Sequence, residues 1–249
     1  MEKVFFLSDA HLGSWAIENG RAQELRVVHF LESIKHVASS VYLLGDIFDF
    51  WYEYKYVVPK GYTRLLGKIS ELTDMGIKVH FFPGNHDLWC YDYLEKECGV
   101  ILHRNMDFVT IGSKRFCLAH GDGYDHNDKK YMFLRSVFHN RICQLLFSAV
   151  HPRWGVSLGY EWARRSRLKH NVIEGFWTNT EKDGLYQHCQ ELLKACPNMD
   201  YFIFGHRHID VDIPMNERGT RFIVLGDWVT KFTYGEFDGE NLRIKHYKE

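Results

Sequence analysis

The chain has 249 residues, 45% of them hydrophobic and 25% charged, which is room for one α/β domain carrying a sizeable insertion. Its net charge of −1 argues against a general binder of polyanions. The six cysteines form no CxxC pair and no zinc-finger spacing, which fits reduced thiols in a cytosolic protein better than a disulfide scaffold.

The first apolar run, residues 4–7, passes directly into Ser8 and Asp9, so it is too short for a secretory signal. No stretch approaches the length of a membrane span, although attachment to a membrane surface stays open. Residues 4–7, 41–44 and 79–82 are continuous apolar runs, the pattern of strands buried on both faces. Between them, 21–34 and 62–75 carry leucine, isoleucine and valine at helical spacing. Strand–helix–strand alternation predicts parallel strands, whose ligand sites lie beyond their carboxyl ends. Residues 108–111 and 115–119 predict a hairpin around Gly112-Ser113. Strands return at 201–204, 221–225, 231–237 and 242–245, the last two flanking the turn Asp238-Gly239.

Residues 124–179 differ. They lack strand signals, look helical, and break near His151-Pro152. Within 135–170 the charge is +6, with Glu161 the lone acid among Arg135, Arg141, Arg153, Arg164, Arg165, Arg167 and Lys169. No internal repeat or low-complexity segment occurs.

Polar clusters close the apolar runs in order: Asp9-x-His11, Gly45-Asp46, Gly84-Asn85-His86-Asp87, His120-Gly121-Asp122 and Gly205-His206-Arg207-His208. A lone DxH or HxH is more often incidental than a ligand pair. Five such motifs in sequence, each at a strand end, point to a site. Mixed oxygen and imidazole donors suit manganese, iron or zinc. Two cations side by side need a shared anion to offset their repulsion, and Asp46 is the natural bridge. Such a pair acidifies water and holds phosphate oxygens. His29, His36, His80, His103 and His188 lack this context and read as ordinary residues.

The string D-x-H, G-D, G-N-H-D, H-G-D, G-H-x-H resembles the calcineurin-like metallophosphoesterases from Asp9 to His208. That resemblance implies an α/β fold: a sandwich of two mixed β-sheets flanked by helices, here one domain over 1–249 with a helical lid at 124–179. It implies one divalent ion on Asp9, His11, Asp46 and His208, and a second on Asp46, Asn85, His120 and His206. It also implies catalytic roles for Asn85, for His86 at the leaving oxygen, for Asp87 orienting His86, and for Asp122 behind the ligands.

Three longer stretches narrow the resemblance: 45–51, 120–147 and 224–228. They are similar to the UDP-2,3-diacylglucosamine pyrophosphatases of lipid A biosynthesis. The implied substrate is a nucleotide-linked lipid, the implied metal is manganese, and the implied place is the cytoplasmic face of the inner membrane, with peripheral contact through the lid. Asn85, His86, Asp128, Arg135, Ser166 and Lys169 match substrate-contacting positions. Cationic groups for phosphates and an apolar groove for acyl chains would both come from the insertion, where Trp154, Tyr160 and Trp162 neighbour Arg164, Arg165 and Arg167. A solvated helix with a buried aromatic stripe is the plainer account of the same residues. That family often carries arginine where this chain has His86, and the two side chains treat a pyrophosphate differently. A phosphodiesterase for other nucleotides or nucleic acid, and a scaffold without catalysis, remain alternatives. The local rather than extended basic charge argues against nucleic acid, and all seven ligand positions are filled, unlike a lapsed site. No obligate protein partner is implied.

Overall fold

Phe5 and Leu7 of the first strand pack into one hydrophobic cluster, while Val4 and Phe6 pack into another. A strand buried on both faces has no polar alternation, which is why its sequence is a continuous apolar run. The structure is a computed structural model that describes residues 3–124, 129–170 and 183–248, without the side chains of 166–170.

Strand β1 (Lys3–Leu7), helix α1 (Gly20–Ile34), β2 (Ala38–Leu43), α2 (Thr63–Asp74) and β3 (Lys78–Phe81) form consecutive strand–helix–strand units of a parallel sheet. A short helix α3 (Tyr93–Cys98) leads to β4 (Ile101–Leu102) at its edge. Strands β5 (Asp107–Ile111) and β6 (Lys114–Leu118) make the expected hairpin. Helices α4 (Lys129–His139), α5 (Arg141–Ser148) and α6 (Pro152–His170) fill the described part of the insertion. Asn140 caps α5 by accepting from the amides of Ile142 and Cys143, so the insertion breaks there as well as at Pro152, which opens α6 where its missing N–H costs nothing.

Helix α7 (Gly184–Ala195) is capped by Asp183 and precedes β7 (Tyr201–Phe204), β8 (Val211–Pro214) and β9 (Arg221–Val224). Strands β10 (Thr233–Phe237) and β11 (Leu242–His246) return to the first sheet. The sheets run β11-β10-β1-β2-β3-β4 and β5-β6-β7-β9-β8, both mixed. Phe6, Phe116, Tyr201, Ile203 and Phe237 fill the layer between them. Helices α1 and α2 cover the outer face of the first sheet, and α7 covers that of the second. The α/β sandwich of two mixed sheets flanked by helices is therefore the architecture of this chain. It places the carboxyl ends of β1, β2 and β3 opposite those of β6 and β7.

Candidate dinuclear metal centre

All five motifs emerge at that seam. Asp9 and His11 follow β1, Asp46 follows β2, and Asn85 and His86 follow β3, so the first sheet delivers these. The second delivers His120 after β6 and His206 and His208 after β7. The backbone turns sharply to do so. Asp9, His11, Asp46, His206 and His208 all have positive φ, between 44° and 70°, which is uncommon outside glycine. Such strain persists where surrounding structure imposes it, and it concentrates at functional sites. Gly84 shows how tight the loops are. A Cβ there would collide with the Asp46 carboxylate and lie 2.8 Å from His120 Nε2.

The converging atoms form two groups that share Asp46. On one side, His208 Nε2 lies 3.4 Å from Asp9 Oδ1 and 3.1 Å from His11 Nε2. His11 Nε2 is in turn 3.7 Å from Asp46 Oδ2. On the other side, His120 Nε2 lies 3.4 Å from the same Asp46 oxygen and 3.3 Å from Asn85 Oδ1. The His206 ring faces that of His120 at 5.1 Å, and Asp46, His120 and His206 can offer ligand atoms within 4.8 Å of one another.

The electrostatics ask for a cation. Asp9 and Asp46 are fully buried, and among the described residues neither pairs with a lysine or arginine. Burial pushes Asp9 up to about 8, with Asp46 adding to the push against His120. Burial acts on Asp46 too, but His120 and His86 outweigh it and hold it well below the ordinary carboxylate range. Two carboxylates removed from water with no fixed positive charge between them are costly. A divalent ion on each side of Asp46 would relieve that cost, and the oxygen–imidazole donor set suits it. His120 is already oriented for the purpose. Its Nδ1–H donates to the Leu44 carbonyl at 2.8 Å, which turns Nε2 toward Asp46, where a metal ion would take the place of a proton.

Asp87 has a different part from the one expected. It does not orient His86, whose Nδ1 donates instead to the carbonyl of Asp49 at 2.8 Å. The Asp87 carboxylate accepts backbone N–H bonds from Asp46, Ile47, Phe48 and Gly84. It is a clamp that ties the loop after β2 to the loop after β3, because a buried anion among four amide donors has no capacity left for an imidazole. Asp49 is the residue the motifs did not single out. It is fully buried, and its Oδ1 lies 3.3 Å from His11 Nδ1. Its signal was present as a lone acid inside the apolar run Ile47-Phe48-Asp49-Phe50-Trp51.

The calcineurin-like phosphoesterase family model matches residues 2–210. This chain belongs to that family. A UDP-2,3-diacylglucosamine hydrolase from Porphyromonas gingivalis is 39% identical over 259 residues, covering 99% of this chain and 98% of that protein. One of the same name from Haemophilus influenzae is 27% identical, covering 92% and 91%. Among solved structures, a dimetal phosphatase from Danio rerio covers 98% of this chain and 95% of its own, with 14% identity and a TM-score of 0.48.

In this phosphoesterase the insertion grips the centre at three points. Asp122 accepts from Tyr131 Oη at 2.8 Å and Arg135 Nε at 3.1 Å, which anchors α4 to the loop after β6. The hydroxyls of Tyr160 and Tyr62 meet at 2.9 Å, and Tyr62 donates onward to the carbonyl of Leu12, beside His11. Trp162 packs against the His86 ring, 5.7 Å between centroids. Beneath α6 lies a cavity of about 370 Å³ walled by Phe50, Trp89, Phe138, Phe147, Leu158 and Trp162. Gly159 lets α6 approach, since a Cβ there would enter the Phe50 ring. Of the expected substrate contacts, Arg135 and His86 stand at this junction. Asp128 lies outside the described residues, as do residues 171–179 of the insertion and the side chains of Ser166 and Lys169.

Proposed function

We propose that this chain hydrolyses UDP-2,3-diacylglucosamine to UMP and 2,3-diacylglucosamine 1-phosphate in lipid A biosynthesis, using two divalent ions, manganese foremost. The observation that carries the proposal is Trp162, which lines an apolar cavity and at the same time packs on His86. A phosphoesterase for small polar diesters has no use for a greasy cavity at its acid. A lipid substrate does, and the full-length likeness to hydrolases of that name agrees.

Asp9, His11, Asp46 and His208 would hold one ion, and Asp46, Asn85, His120 and His206 the other. The bound pair supplies Lewis acidity and an acidified water near neutral pH. Water adds at the phosphorus nearer uridine, the bond to the bridging oxygen breaks, and the acylated sugar phosphate leaves. His86 serves that leaving group. Its Nδ1–H is committed to the Asp49 carbonyl, so Nε2 has a proton to give only in the imidazolium form. Asn85 contributes Oδ1 to the metal side and its amide to a phosphate oxygen. Arg135 spends Nε on Asp122 and keeps its terminal amino groups for phosphate. Asp128, Ser166 and Lys169 complete the proposed substrate contacts.

Helices α4–α6 act as the lid of this site, and they meet the membrane. Phe133, Ile142, Leu146, Trp154 and Leu158 are exposed on them beside Arg153 and Arg165. Apolar side chains with arginines around them suit the boundary between headgroups and acyl chains. Among the described residues no helix is long and apolar enough to cross a membrane. We place the enzyme on the cytoplasmic face of the inner membrane, drawing its lipid substrate from the bilayer without an obligate protein partner.

The test is a manganese-loaded assay on UDP-2,3-diacylglucosamine beside bis(4-nitrophenyl) phosphate. Strong preference for the lipid is expected, and equal efficiency on both would end the lipid assignment. Asp46→Asn should abolish turnover with the fold retained. Near-normal activity in that variant, with metal bound, would overturn the two-metal chemistry.

A further inference from the structure

A second cavity, about 670 Å³, borders the same loop from the other side. It shares a partition with the apolar one. Trp89, Phe138 and Phe147 line the cavity under α6, while their chain neighbours Leu88, His139 and Ser148 line this one. The partition is stiff. Trp89 Nε1 donates to the Phe138 carbonyl at 3.1 Å, and the rings of Trp89, Phe138, Phe147 and Tyr52 contact one another at 4.8–5.5 Å.

The two cavities differ in chemistry. Of the twelve residues lining the second, only Pro83, Leu88 and Leu145 lack a side-chain polar atom. Its charge is positive. Arg104 and Arg141 face one acid, Glu53, whose carboxylate is already taken by Trp51 Nε1 and the amides of Tyr91, Asp92 and Tyr93, while burial and Arg135 keep His139 to its neutral form. Among the described residues Arg141 has no ion pair, and it is exposed. Tyr52 and Tyr91 present rings inclined at 86°, and Asn105 adds an amide that can both donate and accept.

The cavity also borders the loop that carries Asn85 and His86. Pro83 opens the Gly84-Asn85-His86-Asp87 loop, and Asn85 Oδ1 lies 3.3 Å from His120 Nε2. His139 stands four residues beyond Arg135 on α4, so both share the face that meets Asp122. His86 and Trp162 mark the side of the leaving lipid. This cavity marks the other.

We infer that the cavity between α5 and the loops after β2 and β3 seats the uridine half of the substrate and of the UMP product. The inference rests on the function proposed above. Its size is within the range of small-molecule sites, and a pyrimidine finds ring faces, an amide and cations there, whereas an acyl chain finds a lining of mostly polar and charged side chains. The aromatic partition then keeps the two ends of the substrate on opposite sides of the bond to be cut.

The experiment is calorimetric titration of UMP into the manganese-loaded protein, wild type, Asn105→Ala and Arg141→Glu. Both positions are exposed, so the fold survives the changes, and circular dichroism verifies it. UMP affinity should fall at least tenfold in each variant, with inorganic phosphate affinity altered less than twofold. Wild-type UMP affinity no better than that of inorganic phosphate, or UMP affinity within twofold of wild type in both variants, would overturn the inference. Because UMP binding is read directly, it decides the cavity even if the wild type fails to cleave UDP-2,3-diacylglucosamine. That failure alone would remove the proposed function.

Discussion

Replacing Asp87 by asparagine separates a clamp from a catalytic orienter. In the structure Oδ1 accepts from the amides of Gly84 and Asp46 at 2.6 and 3.2 Å, and Oδ2 from those of Ile47 and Phe48 at 2.8 and 3.3 Å. Asparagine keeps one acceptor oxygen and turns an NH₂ toward the other pair of N–H donors. Two charge-assisted bonds are lost, each worth about 1.5–3 kcal/mol. Burial pushes the Asp87 carboxyl up to about 6, with Asp46 adding to it, so the anion already bears a desolvation cost and the lower end applies. A loss of about 3 kcal/mol lowers Tm by roughly 6–12 °C in a protein of this size. The assay is thermal unfolding of wild type and Asp87→Asn, both in excess chelator, so that metal linkage does not enter the difference. A Tm within 2 °C of wild type, together with a large loss of kcat, would refute the clamp and restore Asp87 as the partner of His86.

Tyr160→Phe removes the hydroxyl that meets Tyr62 and should cost about 1 kcal/mol of lid docking, seen as a roughly fivefold rise in KM for the lipid substrate. An equal fall in kcat on lipid and small diester would show that the hydroxyl serves the metal loop instead. Burial, with His103 and Lys78, lowers His80 from 6.5 to about 4. The folded value lies below the unfolded one, so this contribution is full above pH 6.5 and is lost as pH falls toward 4. The ring is only partly buried, so about 1–2 kcal/mol is expected after solvent screening. Denaturant titrations of His80→Phe should show a flatter decline over that window, and an identical slope would assign the acid sensitivity elsewhere. Leu146→Glu on α5 should cut co-sedimentation with anionic vesicles at least threefold, and undiminished binding would move the membrane face off α5.

Most of the centre was legible because its ligands sit where buried strands stop, and a continuous apolar run ending in Asp, His or Asn marks that point. The strands β1, β2, β3 and β7 and the hairpin β5–β6 carry the same signal. Other elements were not legible for reasons particular to them. Strand β8 is an edge strand of four residues ending in Pro214, with no buried face to impose a pattern. Helix α3 is six residues long and ends on Gly99, too short for periodicity. Helix α7 opens on Gly184 and its motif lies in Asp183, which reads as loop until the capping bond to the Tyr186 amide is seen. The pairing of β10 with β1, which returns the chain to the first sheet, is a contact between distant segments that neither one announces. Asp49 and Asp87 show a further limit. Two acids in adjacent motifs look alike in sequence, and only backbone amides decide which one meets an imidazole.

The centre straddles the seam between two sheets, and this makes its geometry a remote property. Asp9, His11, Asp46 and Asn85 ride on one sheet, while His120, His206 and His208 ride on the other. What fixes the gap between them is the aromatic layer inside the sandwich, where Phe6 stacks on Phe116 at 5.8 Å and Phe116 on Tyr201 at 4.8 Å. Close-packed interiors transmit displacement rather than absorb it. A sideways slip of one sheet would therefore register as a change of ligand spacing, and side chains that never touch substrate set the tolerance to which the machine is built.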